Sequence, residues 1–526
     1  MSPPPPIQQS PLQWTKSQRG RIWERDLDEC EMFYRAVIRN GSGCHPVTAC
    51  ASFAITSRSD SGSGGVITHE KEVQNALQRA WIMLRYEHPT LRSRVEHYKE
   101  RKENERLKRV YEPFASSEGE TSWVGTTFKV IDVDCDDVDG LNWFNEHASS
   151  AFEMPTVFLL RSKKKETEVG RTTAGTVFLR CPHDITDGVG VLQLLDQLFE
   201  HAARAFEEGG KYSLPEWGNE HERLSPCLRV AAGIPDRLSE AQFDRFQQVQ
   251  TRNGSIYNHP ALLGLPSSSS ASSRTHPRIQ RLAICVSRSL TEKVLLSCKA
   301  IAPGVSVTHV FMAALASALA ELQLRKEEPY PVRYVNHSMI NLRPYCREPY
   351  NRPDHAAATY HTISAQALMV DVTVPSSGSN SEDVVNLSEL AVKVRDFYNS
   401  IRPVVSSKEP QEQVLLAPFT FKGFTPLAGS DPHAASDPPF CPVALSSIGN
   451  IASRVKGKHG PFELTNVWAA SEPLGAGVAL FLGSWDCQIQ LSGVFDTRYH
   501  NAEYVEKFLN RILHRVYKGL GIREDC

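Results

Sequence analysis

His183 and Asp187 stand four residues apart in the stretch His-Asp-Ile-Thr-Asp-Gly at 183–188, directly after an apolar run. An imidazole with an ordinary pKa of about 6.5 is neutral at cytosolic pH and can take a proton from a bound hydroxyl or amine. An aspartate four positions later can hold the loop and the ring orientation without accepting the proton itself. The same aspartate is well suited to cap a helix beginning at Gly188. Other readings compete. His183 can be a partly buried turn residue beside a helix cap. A metal site needs more ligands than the local sequence offers, so no metal is expected. Cys181 shares a strand face with His183 and raises acyl-enzyme chemistry, but Pro182 between them disturbs that geometry and small cysteines are commonly buried.

The elements that must position these residues are readable. In "GTVFLRCPH" (175–183), Val177, Leu179, Cys181 and His183 share one side of a strand and Phe178 and Arg180 the other. Pro182 cannot donate to a ladder, so the strand ends there or lies at an edge, which puts His183 at a strand terminus. Gly188 and Gly190 permit close backbone approach. Beyond them Val189, Leu192, Leu195, Leu198, Phe199 and Ala202 recur on one face of a helix over 189–208.

The same rhythm extends along the chain. Residues 45–55 read as a strand, and 70–89 as a helix stopped by Pro89. In the second half 278–287, 332–343, 361–370 and 478–495 read as strands, 306–322 as a buried helix, and 502–517 as an amphipathic one. Strands and helices mixed without strict βαβ order predict an α/β protein with one lobe built twice, each a mixed sheet flanked by helices. No internal sequence repeat is detectable.

A chain of 526 residues exceeds one compact core. Polar stretches at 57–65, 161–171, 265–277, 375–383 and 428–439 read as loops or linkers. The expected organisation is a disordered proline-rich tail over 1–20, a first lobe over 21–225, a linker over 226–277 and a second lobe over 278–526. Trp81, Trp123, Trp143, Trp468 and Trp485 fall in periodic segments and read as core.

A net charge of −2, with 41% hydrophobic and 22% charged residues, marks no nucleic-acid or membrane-surface binder. No window approaches the ~20 apolar residues of a membrane span. The twelve cysteines form no Cys-x-x-Cys pair and read as free thiols in a reducing compartment. The start of the sequence lacks the basic and apolar regions of a signal peptide, so a cytoplasmic protein is expected.

The His-x-x-x-Asp-Gly pattern resembles the site of the coenzyme A-dependent acyltransferase superfamily, which includes plant BAHD acyltransferases, condensation domains of peptide synthetases and fungal trichothecene O-acetyltransferases. Further segments resemble that family in its order: "ALQRAWIMLRYEHPTLRSRV" (76–95), "GVSVTHVFMAALASALAEL" (304–322), "VNHSMINLRPY" (335–345), "LSSIGNI" (445–451) and "GSWDCQIQLSGVFDTRYHNAEYVEKFLNRI" (483–512). The trichothecene 15-O-acetyltransferase type is the one it looks most like.

The resemblance implies two chloramphenicol-acetyltransferase-like lobes with a tunnel between them and His183 near its centre. It implies a monomeric O-acyltransferase with no permanent cofactor and no metal. Its partners would be an acyl-coenzyme A, acetyl-coenzyme A above all, and a small alcohol of secondary metabolism such as a sesquiterpenoid. His183 would be the general base, Asp187 and Gly188 would shape its loop, and Arg343 would pair with Asp187. Ser446, Ser447 and Asn450 would offer oxyanion or substrate contacts, as would the Gly188 amide. The charged run "HYKERKENERLKRV" (97–110) could touch coenzyme A phosphates, but its interleaved acids read as a solvated loop. Pro182 replaces the second histidine of peptide-forming condensation domains, and the plant Asp-Phe-Gly-Trp-Gly motif is missing. Amide- or polyketide-ester-forming chemistry and a catalytically silent scaffold of the same fold remain the alternatives.

Overall fold

The computed structural model describes residues 10–523 except 19, 57–65, 100–104, 134–139, 163–171, 267–277, 380–385, 405–410 and 435–439. Two sheets organise it. A six-stranded sheet runs, in spatial order, Lys458–His459, Phe462–Ser471, Pro46–Thr56, Thr172–Pro182, Thr156–Ser162, Phe128–Val133. A four-stranded sheet runs Val443–Asn450, Val478–Trp485, Gln488–Asp496, Ile279–Cys285. Each is mixed: 128–133 pairs with 156–162 in parallel, as 443–450 does with 478–485, and the other ladders are antiparallel. The α/β class with two sheet-and-helix lobes is therefore as the sequence reading expects.

The helices Val66–Glu87 and Gly188–Glu208 cover the first sheet, and Val307–Glu321, Leu387–Ile401 and Ala502–Gly519 pack with the second. On Gly188–Glu208, Leu192, Leu195, Leu198, Phe199 and Ala202 are all fully buried. Burying each of the large side chains contributes ~1.5–3 kcal/mol, so this helix is seated firmly and its first turn has a fixed place. The strand Thr172–Pro182 has a partner on both sides and ends where Pro182 faces Pro46, a position at which the missing donor is harmless. All five tryptophans named above are buried.

Four expectations change. Residues 458–471 cross over to the first lobe's sheet, pairing with Pro46–Thr56, so the range 278–526 is not one lobe. Residues 10–18 of the supposed tail are held in place: Thr15–Lys16 pairs with Trp23–Asp26, and the Trp14 indole donates to the Ser225 carbonyl. Residues 1–9 lie outside the described residues.

The charged run 97–110 belongs largely to the paired strands Arg94–Lys99 and Glu105–Tyr111, and Arg109 within it is fully buried in ion pairs. The linker range 226–277 contains a helix, Glu240–Tyr257, opened by a Ser239–Gln242 capping box. It buries little besides Val249, Asn253 and Ile256, which leaves a faint periodic signal. The segment 478–495 is a hairpin whose turn residues, Asp486 and Cys487, are both left-handed. Among the described residues no helix is long and apolar enough to cross a membrane.

Candidate active site

His183 follows the last strand residue, and its backbone amide donates to the His45 carbonyl at 2.8 Å. The Thr359 hydroxyl donates to the His183 carbonyl at 2.9 Å. The turn then tightens, with Ile185 N–H donating to Pro182 O at 3.0 Å and the Thr186 hydroxyl to Ala356 O at 2.8 Å. Every residue from 181 to 187 is buried. Gly188 and Val189 are partly exposed, and a Cβ added at Gly188 would meet nothing within 4 Å. The buried turn thus opens onto free space at the start of the helix.

Asp187 caps that helix, accepting from the amides of Val189 (3.0 Å) and Gly190 (2.9 Å). Arg343 Nη1 lies 2.7 Å from each of its oxygens, and the Tyr360 amide donates to Oδ2 at 2.8 Å. None of these bonds goes to the His183 ring, so Asp187 holds the loop and not the imidazole. Burial alone would raise this carboxyl's pKa; the Arg343 guanidinium, the His361 ring and the Gly190 amide together outweigh it and hold the pKa below the ordinary value. Arg343 also donates to the Ala358 carbonyl at 2.7 Å. At Gly190 a Cβ would sit 2.3 Å from Ala356 O and 2.6 Å from Arg343 Nη2. The close backbone approach is therefore at Gly190; Gly188 has room.

The loop is gripped on its other side too. Arg109 Nη2 is 2.9 Å from the Asp184 carboxylate, and its Nε is 2.9 Å from Glu31, which in turn binds Arg25 through two contacts of 2.6 and 2.7 Å. Buried ions endure only when paired and hydrogen-bonded, and this chain of four meets that condition.

His183 is 7% exposed. It stacks on Tyr34 with centroids 3.9 Å apart and planes 6° from parallel. His361 lies 5.6 Å and His45 6.0 Å away, centroid to centroid. Burial first, and then the neighbouring His361 ring, push the His183 pKa down to about 3; the Asp187 carboxylate and the carbonyls of His183 and Thr186 pull the other way and are outweighed. Nδ1 is buried without a hydrogen-bond partner. The result is an imidazole that stays neutral throughout the physiological range. Cys181 is fully buried, and burial drives its thiol pKa far above the ordinary value, so it supplies no thiolate.

Ser446, Ser447 and Asn450 lie on the strand Val443–Asn450, and none of their hydrogen bonds goes to His183 or Asp187. The Ser447 hydroxyl is 2.8 Å from that of Thr308, and both line cavities of 350 and 840 Å³. Asn450 also lines the larger cavity and caps the short helix Ile451–Ser453 through the Ala452 amide. Ser446 is half-buried. The smaller cavity reaches Asn341, whose side chain accepts from the Arg343 amide at 3.2 Å, so it abuts the ion pair. Among the described residues no group of three or more His, Cys, Asp or Glu side chains is placed to hold a metal ion.

Tyr34, His45, His361, Asp184 and Arg109 escape motif reading. Their only early trace is the Asp28-x-x-Glu31 spacing of a capping box ahead of Tyr34, which both side chains complete.

No family model matches the chain. It is 24% identical to the acetyltransferase pigO of Monascus ruber over 98% of this chain and 99% of that one. It is 30% identical to the O-acetyltransferase pigM of the same organism over 37% of this chain and 36% of that one. In structure it is similar to the TRI3 trichothecene 15-O-acetyltransferase from Fusarium sporotrichioides, with a TM-score of 0.75, 14% identity and coverage of 96% and 98%. The first condensation domain of the CDA synthetase follows at 0.58 and 13% identity, covering 94% and 96%. The fold is thus the condensation-domain-like fold shared by that acetyltransferase structure and the condensation domain.

Proposed function

We propose that this protein is an O-acyltransferase that moves an acyl group, acetyl above all, from a coenzyme A thioester to a hydroxyl of a secondary metabolite of the sesquiterpenoid or trichothecene kind. The full-length likeness to one acetyltransferase and the partial likeness to an O-acetyltransferase support acyl transfer. The observation that carries the reading is His183 at a strand end with the Asp187 carboxylate committed to Arg343 and to backbone amides, next to the open space at Gly188.

In this mechanism the acceptor hydroxyl gives its proton to the His183 ring as its oxygen bonds the thioester carbonyl carbon. The tetrahedral oxyanion reforms the carbonyl, the carbon–sulfur bond breaks, and the imidazolium returns the proton to the leaving thiolate. A ring with so low a resting pKa is a weak base. It gains basicity as negative charge develops beside it, because an adjacent anion favours the protonated ring. The cavities bounded by Thr308 and Ser447 are the path assigned to the acyl donor. On this reading the enzyme is a monomer that acts on small molecules in a reducing compartment, with acyl-coenzyme A as co-substrate and nothing permanently bound.

The test incubates purified protein with acetyl-coenzyme A and a panel of terpenoid and polyketide alcohols while thiol release and product mass are followed. His183→Ala should reduce turnover by ~10²–10⁴. Undiminished activity in that variant overturns the assignment, and an acyl adduct trapped on Cys181 overturns direct transfer. The similarity to a condensation domain favours one second reading, transfer to an amine. Amines belong in the panel for that reason.

A further inference from the structure

The helix Glu29–Ala36 is not part of the motif, yet it delivers a side chain onto the imidazole. Tyr34 lies flat on His183 at 3.9 Å and 6°. Its hydroxyl is 2.8 Å from His361 Nε2, and Ile363 and Phe421 pack in the same cluster. His361 is itself placed by the short strand His361–Ile363, in which it pairs with Asn341. The helix has a second tether to the catalytic loop. Glu31, one turn before Tyr34, binds Arg109, and Arg109 binds Asp184, the residue next to His183.

Three geometric constraints therefore converge on one ring: the strand end, the Glu31–Arg109–Asp184 bridge, and the face of Tyr34. The imidazole needs an outside constraint, because every contact of the Asp187 carboxylate goes elsewhere.

We propose that Tyr34 is a positioning residue for His183, fixing the plane of the imidazole by ring stacking while His361 fixes the phenol. This deepens the acyl-transfer reading and rests on His183 being its base. The ring of Tyr34, and not its hydroxyl, carries the effect. Stacked aromatic faces define a plane, whereas the hydrogen bond to His361 only keeps Tyr34 from turning away. Misplacing a reacting group by about 1 Å can cost ~10²-fold in rate, which sets the scale expected here.

The experiment compares Tyr34→Phe, Tyr34→Leu and His361→Gln with the parent. Tyr34→Phe keeps the stack and should retain kcat within ~3-fold. Tyr34→Leu should lose ~10–100-fold in kcat with KM for acetyl-coenzyme A unchanged, and His361→Gln should fall between them.

A second readout needs no turnover: NMR titration of the His183 ring. In Tyr34→Leu the ring should titrate well above its position in the parent as water reaches it, and in Tyr34→Phe it should not. Equal kcat losses in Phe and Leu would assign the effect to the hydroxyl and overturn the proposal. So would a Leu variant with parental kcat and an unmoved ring. Should His183→Ala keep full activity, the assignment of His183 as the base fails, and the ring titration in the parent background still decides whether Tyr34 governs the imidazole.

Discussion

Asp187 and Arg343 lie 156 positions apart, and one guanidinium nitrogen stands 2.7 Å from both carboxylate oxygens. The pair ties the turn after His183 to the segment after the strand Met339–Asn341. With the Val189, Gly190 and Tyr360 amides also bound, the carboxylate has no capacity left for the imidazole. Its role is architectural, and it seats the loop against residues that line the neighbouring cavity.

Asp187→Asn should therefore destabilise the fold by ~3–5 kcal/mol, because it strands a buried guanidinium without its counter-charge. Arg343→Met should do the same from the other side. The double variant should cost clearly less than the sum, since neither charge is left alone. Urea unfolding of the four proteins checks this, and strict additivity would show that the pair does not act as a unit.

Gly190→Ala places a methyl 2.3 Å from the Ala356 carbonyl and 2.6 Å from Arg343. Backbone cannot yield cheaply, so a loss of ~1–3 kcal/mol or more is expected. Gly188→Ala meets open space and should be within about 0.5 kcal/mol of the parent, with any effect falling on acceptor KM. Thermal unfolding and steady-state kinetics separate the two.

These contrasts mark where reading the sequence succeeds. The helix Gly188–Glu208 declares itself because it buries one periodic stripe, and the strand Thr172–Pro182 because its apolar run, buried on both faces from Thr176 onward, is stopped by Pro182. The His-x-x-x-Asp-Gly spacing is legible because one turn holds all of it. Tyr34, His361 and Arg109 are not, since each reaches the site through a tertiary contact with no local signature. Arg109 sits in a run of charges that resembles a solvated loop, and only its pairing across to Arg94–Lys99 and Trp23–Asp26 turns it inward. The crossover of 458–471 is likewise invisible, because a strand's pattern does not say which sheet it joins.

Acid should weaken the fold from about pH 6.5 downward. His183, His45, His361, His309 and His355 all have pKa values pushed down by burial, to about 3 for His183 and about 4 for His309 and His355. The unfolded chain takes up protons on these rings below about 6.5 and the folded chain does not, so stability falls as pH drops through that window. Asp28, raised to about 6 by burial and by Glu31, works in the opposite sense between about 6 and 4, and Glu472, also raised by burial, acts in the same direction as Asp28. The histidines outnumber them. His355→Gln, which can keep the contact to Ser225, should recover ~1–3 kcal/mol at pH 4.5 and little at pH 8. Denaturant midpoints at the two pH values test it, and equal gains at both would remove the titration from the account.

The catalytic pH profile should be displaced in the same direction. The acid limb of kcat/KM reports the free enzyme's base, and here burial, reinforced by His361, holds that base neutral until about pH 3. Transfer measured over pH 5–8 with acetyl-coenzyme A and a reactive alcohol should therefore show no limb near 6.5. The fall at lower pH should coincide with the loss of folded protein followed by circular dichroism in the same buffers. A limb near 6.5 in fully folded enzyme would mean that the His183 ring meets water in solution. The stack with Tyr34 would then have to open before the acceptor arrives.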